Sequence, residues 1–292
     1  MNNETLQTPA SSTHSLFRLP MNRMKRLPVT VTHVFVAISL ILFITACSGE
    51  RYTELMSAAR DGNNDAVKRV LDLGVEINQR TSRGKTALML AASNGHTDTV
   101  KLLLDRGADL SMTDDYGTTA LIVSATGGKS DTTALLIKSG ANPLLKDTSG
   151  GSALTNATFF GHTDTVKILL DSLQDLPKED GEELLMLAAG FGHLEIAKAL
   201  FAKGVSANAS GAMGHSALMA ATAFNKPEMV KLLLTQGADP SAKDEEGISA
   251  IDVATDKEFN DILALFEKAK QASQKQLQST LTPNKKTPDK KK

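Results

Sequence analysis

The stretch Gly84-Lys85-Thr86-Ala87-Leu88 decides the fold, because it comes back. It returns as Gly117-Thr118-Thr119-Ala120-Leu121 and Gly150-Gly151-Ser152-Ala153-Leu154, then as Gly214-His215-Ser216-Ala217-Leu218 and Gly247-Ile248-Ser249-Ala250-Ile251. The step is 33 residues with one exception, where Gly181-Glu182-Glu183-Leu184-Leu185 follows Gly150 by 31. A leading copy without the glycine stands at Thr53-Glu54-Leu55. Seven units therefore run from about Arg51 to Lys270. A fixed period of this length is the mark of stacked supersecondary units, each too small to bury its apolar face alone.

Within a unit the residues specify two helices. Thr86, Thr119, Ser152, Ser216 and Ser249 stand where a hydroxyl oxygen accepts from the free amides of a helix start. Leu88, Ala91 and Ala92 then fall at i, i+3 and i+4, an apolar stripe whose small residues let neighbouring helices approach closely. After a turn such as Asn94-Gly95-His96, an acidic residue recurs near the start of a second helix in six units: Asp65, Asp98, Asp131, Asp164, Glu195 and Glu228. That is where the positive end of the helix dipole favours it. Gly74, Gly107, Gly140, Gly204 and Gly237 follow the apolar runs that end these helices, the place for a left-handed C-terminal cap.

A 33-residue helix-turn-helix unit with these landmarks resembles the ankyrin repeat, over about three quarters of the chain. The resemblance implies an all-α solenoid of about seven repeats that binds other proteins and carries no enzymatic activity. Where the family reads Thr-Pro-Leu-His, this chain reads Thr86-Ala87-Leu88-Met89 and Ser216-Ala217-Leu218-Met219. The Pro that starts the helix and the hydrogen-bonding His are missing, so individual repeats are expected to be less stable than is usual for the family. The fourth unit lacks the Gly-Ala cap and runs through Leu173-Gln174-Asp175-Leu176-Pro177, which predicts an irregular loop or a change of superhelix. Asn and Arg around the first unit, and Asp252, Asp256 and Glu258 in the last, look like caps with a polar outer face.

Outside the repeats, Arg23, Lys25 and Arg26 precede an apolar run from Val29 to Ala46 whose dense part begins near Val34. It has signal-peptide length and falls short of the ~20 residues of a comfortable bilayer span. It ends in Ile44-Thr45-Ala46-Cys47, which resembles a bacterial lipoprotein box. The resemblance implies that Cys47, the chain's one cysteine, receives diacylglycerol and becomes the membrane anchor; Ser48 behind it goes with outer-membrane sorting. The alternative is a retained signal anchor. Either way the positive charges prefer the cytoplasmic side and place the repeats outside it. Met21 or Met24 would make a more typical start than Met1. The chain thus divides into a leader and signal peptide over 1–46, a tether over 47–52, the repeat domain over 53–270, and a basic tail over 271–292, rich in Gln, Ser, Thr, Pro and Lys and expected to be disordered.

Composition narrows the function further. A formal net charge of -1 argues against the basic field that captures phosphate backbones, so nucleic acid is not expected as a partner. One cysteine excludes an internal disulfide. His96, His162 and His193 recur in the turn between the helices, at one position in three repeats; stacking holds them apart by roughly the 8–10 Å of packed helices. They are read as turn-stabilising, and His215 as isolated. Phosphate loops, nucleophile elbows, paired carboxylates and metal-ligand clusters do not occur, so no catalytic residue, cofactor or metal is assigned. An enzyme would need a pocket hidden in the irregular fourth unit.

Binding has candidates. First helices and inter-repeat loops form the concave surface of such a solenoid. At about 100° per residue from Leu88, the positions of Ser93 and Asn94 point out of the stack. Their equivalents read Thr126/Gly127, Phe159/Phe160, Gly190/Phe191 and Ala223/Phe224, so Phe160, Phe191 and Phe224 form a ladder of rings. Such aligned aromatics either supply the hot spots of an interface or pack laterally on one another. Asp180, Met213, Glu245 and Glu246 are placed on adjacent loop tips, making the groove over repeats four to six acidic and partly apolar. The reading is a monomeric adaptor anchored at the bacterial envelope that binds a partner protein through this groove. The alternative is an envelope spacer whose basic tail contacts anionic lipid or cell-wall polymer.

Overall fold

Seven times along the chain a short helix and a longer one form an antiparallel pair. The computed structural model describes residues 53–281. The first, or inner, helices are α1 (Glu54–Arg60), α3 (Ala87–Asn94), α5 (Ala120–Thr126), α7 (Ala153–Phe159), α9 (Lys178–Phe191), α11 (Ala217–Ala223) and α13 (Ala250–Asp256). The outer ones are α2 (Asn64–Asp72), α4 (Thr97–Asp105), α6 (Ser130–Lys138), α8 (Thr163–Ser172), α10 (Leu194–Ala202), α12 (Pro227–Thr235) and α14 (Asn260–Leu281). Each inner helix packs on the inner helix of the next unit, giving the solenoid that the period predicts.

Helix starts follow from local chemistry. The hydroxyls of Thr53, Thr86, Thr119, Ser152, Ser216 and Ser249 each accept from the backbone amide three residues on. All six expected acidic residues lie in the first turns of outer helices. Gly74, Gly107, Gly140, Gly204 and Gly237 all take positive φ just past the helix ends, where a side chain would be strained.

The core is one continuous strip between the helix layers. Leu88, Ala91, Ala92, Leu121, Ala125, Leu185, Ala188, Ala189, Leu218 and Ala221 are buried from the inner helices, and Val100, Leu103, Leu136, Leu169, Leu200 and Leu233 from the outer ones. Alanine at every inner contact explains how a chain with so few aromatics closes its interior.

Between units, a hairpin-like loop precedes α3, α5, α7, α11 and α13; we call these the second, third, fourth, sixth and seventh hairpins. Three are pinned by an aspartate whose Oδ1 accepts two backbone amides: Asp114 from Tyr116 and Thr118, Asp147 from Ser149 and Gly151, and Asp244 from Glu246 and Ile248. Neighbouring hairpins are tied by one backbone bond each, from Asp115 N to Arg83 O, Thr148 N to Tyr116 O and Glu245 N to Met213 O.

Two regions depart from the sequence expectation. After α8 the chain turns through extended Leu173 and enters α9 at Pro177, so the fifth hairpin is absent and its place is taken by helix. Gly181, the apparent counterpart of the turn glycines, is buried inside α9, where a Cβ would stand 3.0 Å from Val205 Cγ2. Leu184 and Leu185 keep the core register of the period, which is why the 31-residue step reads as a normal unit. The expected domain end is also corrected: α14 does not stop near Lys270 but continues to Leu281, so 271–281 are helix rather than disordered tail. Cys47, the signal segment, the tether and the rest of the basic tail lie outside the described residues. Among the described residues no helix is long and apolar enough to cross a membrane.

Candidate functional site

The C-terminal ends of the inner helices meet the turns that lead to the outer helices, and the recurring histidines sit there. Nε2–H of His96 donates to the carbonyl of Arg60 (2.9 Å), that of His162 to Thr126 (2.9 Å) and that of His193 to Phe159 (3.2 Å). Each carbonyl belongs to the preceding unit and comes from the last turn of an inner helix, where it lacks an intrahelical donor. These histidines are inter-repeat struts. His215 is not isolated: its Nε2 lies 3.6 Å from Asp244 Oδ2 in the next hairpin. A sequence separation of 29 residues with no periodic counterpart concealed that pair.

The rings stand beside the struts. Phe160 follows the last residue of α7, Phe191 ends α9, and Phe224 follows the last residue of α11, one register position in three units. Phe159 packs edge-on against Phe191 at 4.7 Å and against Phe160 at 5.0 Å. Phe160 and Phe191 also stack on His162 and His193, with ring centroids 6.0 and 5.9 Å apart. Phe224 lies over buried Gly190, where a Cβ would stand 3.3 Å from its Cδ2. The ladder is thus built by each ring leaning back on the preceding unit. Phe159, Phe160 and Phe191 are half-buried, whereas Phe224 keeps 36% of its surface exposed.

The loop residues fall into two groups. Met213, Glu245 and Glu246 occupy exposed hairpin tips. Asp180 does not: it lies in the first turn of α9 and pairs with Lys146 Nζ at 2.9 Å. That contact holds the Lys146 ammonium above its usual range, chiefly through the hydrogen bond to Asp180. Glu183, at the register of the missing N-cap hydroxyl, has its carboxyl raised chiefly by burial, opposed by Lys146 and reinforced by Asp180. Met213 takes a left-handed backbone (φ 62°, ψ 17°) beside Gly214, also at positive φ. Sequence reading missed three exposed apolar residues, Tyr116 at the third hairpin tip and Leu144 and Leu145 in the fourth.

No catalytic constellation forms from the described residues. They contain no group of three or more His, Cys, Asp or Glu that could hold a metal ion. The irregular fourth unit holds a crevice of only about 10 Å³ beside Leu173 and Leu176, room for about one water.

With this geometry, the match to known proteins falls into place. The family model for ankyrin repeats (3 copies) matches residues 55–147, 107–180, 123–211 and 154–244. The chain belongs to the ankyrin-repeat family, whose repeats generally serve as scaffolds for protein–protein interaction and are typically non-enzymatic. Among solved structures, the human ASB11 ankyrin repeat domain is similar at 26% identity and a TM-score of 0.67, covering 73% of this chain and 98% of that one. The ankyrin repeat domain of Bcl-3, described as a unique member of the IkappaB protein family, is similar at 28% identity and a TM-score of 0.64, with the same coverage. No curated protein sequence matches the chain.

Proposed function

We propose that this protein is a non-enzymatic adaptor, lipid-anchored through Cys47 at the periplasmic face of a bacterial membrane, that holds a partner protein against the ends of its inner helices. The observation that carries the binding site is the register of Phe160, Phe191 and Phe224, aromatic at one outward position in three successive units of a protein-binding family. Met213, Glu245 and Glu246 on neighbouring hairpin tips border it with one apolar and two acidic side chains. Anchoring is supported by Ile44-Thr45-Ala46-Cys47 behind a basic and then apolar leader.

The test is made with the full chain expressed in a bacterium fed an alkyne-bearing fatty acid. Label and membrane association are expected, both lost in Cys47→Ala; label retained in that variant removes the anchor. Cross-linking capture from solubilised envelopes then compares the native chain with Phe224→Lys, which alters the exposed ring without opening the Phe159–Phe191 contact. A partner lost with Phe224→Lys supports the site. The same set caught by both baits overturns it, and no capture by either favours the spacer.

A further inference from the structure

The fifth hairpin is missing in the middle of an otherwise regular row, and its neighbours keep the features that would have met it. In three places a hairpin tip offers a carbonyl, at Arg83, Tyr116 and Met213, to an amide of the hairpin that follows. The corresponding carbonyl in the fourth hairpin is that of Ser149, and no hairpin follows to donate to it. Leu144 and Leu145, on the same hairpin, are 49% and 39% exposed. Met112, the counterpart of Leu145 one unit earlier, is half-buried and packed on the core. Behind this apolar step lie the first turns of α9, where the single ammonium of Lys146 faces two carboxylates, Asp180 and Glu183.

We propose that this notch is a docking edge for an extended segment of a partner protein carrying a lysine or arginine between apolar side chains. The backbone of the segment pairs with Ser149 as a hairpin would, its apolar side chains cover Leu144 and Leu145, and its cation supplies the second positive charge that Asp180 and Glu183 share only with Lys146. The dipole of α9 already favours Glu179 and Asp180 in its first turn. Glu183 lies beyond that turn and is more than half withdrawn from water, so a neighbouring cation gains most there. This inference shares the protein-binding reading above but rests on different residues.

The experiment selects a random twelve-residue peptide library on the full chain and measures the recovered peptides by fluorescence anisotropy. Peptides alternating Lys or Arg with apolar residues are expected, with affinity lowered at least tenfold by Leu144→Ser with Leu145→Ser and several-fold by Glu183→Gln. Phe224→Lys is expected to leave that affinity unchanged, so failure of the aromatic site and failure of the notch are separable. Circular dichroism of each variant confirms folding, and Leu145→Met, which keeps the apolar surface, is expected to retain affinity. Acidic peptides, affinity indifferent to Leu144 and Leu145, or no enriched peptide overturns the proposal. A chain ending at Leu281 that binds the peptides tenfold more tightly would show the protein's own lysine-rich terminus in the notch, and would overturn the partner segment as its occupant.

Discussion

The ring of Phe191 meets the ring of Phe159 edge-on at 4.7 Å, across the boundary between two repeats that no hairpin bridges. At the other described boundaries between hairpins, backbone bonds tie one unit to the next. Here the aromatic pair, the Lys146–Asp180 ion pair and the His193–Phe159 hydrogen bond stand in for them. Edge-to-face pairs contribute about 0.5–1.5 kcal/mol beyond area burial. A double-mutant cycle of Phe159→Ala and Phe191→Ala in urea unfolding is expected to show coupling of that size. Phe224→Ala, which exposes little new surface, should cost roughly 1 kcal/mol or less.

The histidine struts make a second test through glycine. Gly128 has φ 63°, and a Cβ there would stand 2.6 Å from His162 Nδ1; Gly107 has φ 91° with nothing within 4 Å. Both alanine variants carry left-handed strain, about 1–2 kcal/mol. Gly128→Ala should lose a further 1 kcal/mol or so by displacing His162 from the Thr126 carbonyl. In a His162→Ala background that excess should vanish, and denaturant midpoints measure it.

Met213 is a bulky residue at φ 62°, followed by a glycine at φ 77°. Met213→Gly removes left-handed strain and should raise stability by about 0.5–1 kcal/mol despite the looser unfolded chain. An unchanged or lower denaturant midpoint would contradict this.

Stability against pH carries the signature of Glu183. Its folded carboxyl is raised above the usual 4.5, first by burial and then by Asp180, against the pull of Lys146. A raised acid favours the folded state while protonated, so this contribution is present below pH 4.5 and lost as pH climbs through the higher folded value. Glu183→Gln should remove that loss and make the variant the more stable of the two at neutral pH. Asp252 has the opposite sign: the Ser249 hydroxyl and amide hold it below 3.8, so its contribution exists above that value and disappears as pH falls. Asp252→Asn should therefore flatten the acid limb, seen in thermal melts from pH 3 to 8.

How far the sequence carried depended on the range of the interaction concerned. A hydroxyl at Thr86, an aspartate at Asp98 and a glycine at Gly107 act within one helical turn of themselves, so repetition at 33 residues was enough to read helices, caps and core stripe. The shared register of Phe160, Phe191 and Phe224 was legible for the same reason. Their packing was not: whether a ring faces water depends on the residue one unit back, phenylalanine at 159 and glycine at 190. The 31-residue step showed that something differed, yet Gly181 copied a turn glycine while lying inside a helix, because Leu184 and Leu185 satisfy the core in either case.

By itself, then, the sequence determined the number of units, their paired helices and the outward positions of the inner helices, all of which follow from short-range bonding and a strict period. Only the tertiary structure decided that the fifth hairpin is replaced by helix, that Asp180 and Lys146 form a pair, that His215 meets Asp244, and that Leu144 and Leu145 are left uncovered. Each of these is a contact between units, and in a solenoid a residue's surroundings are set by what the neighbouring unit places against it.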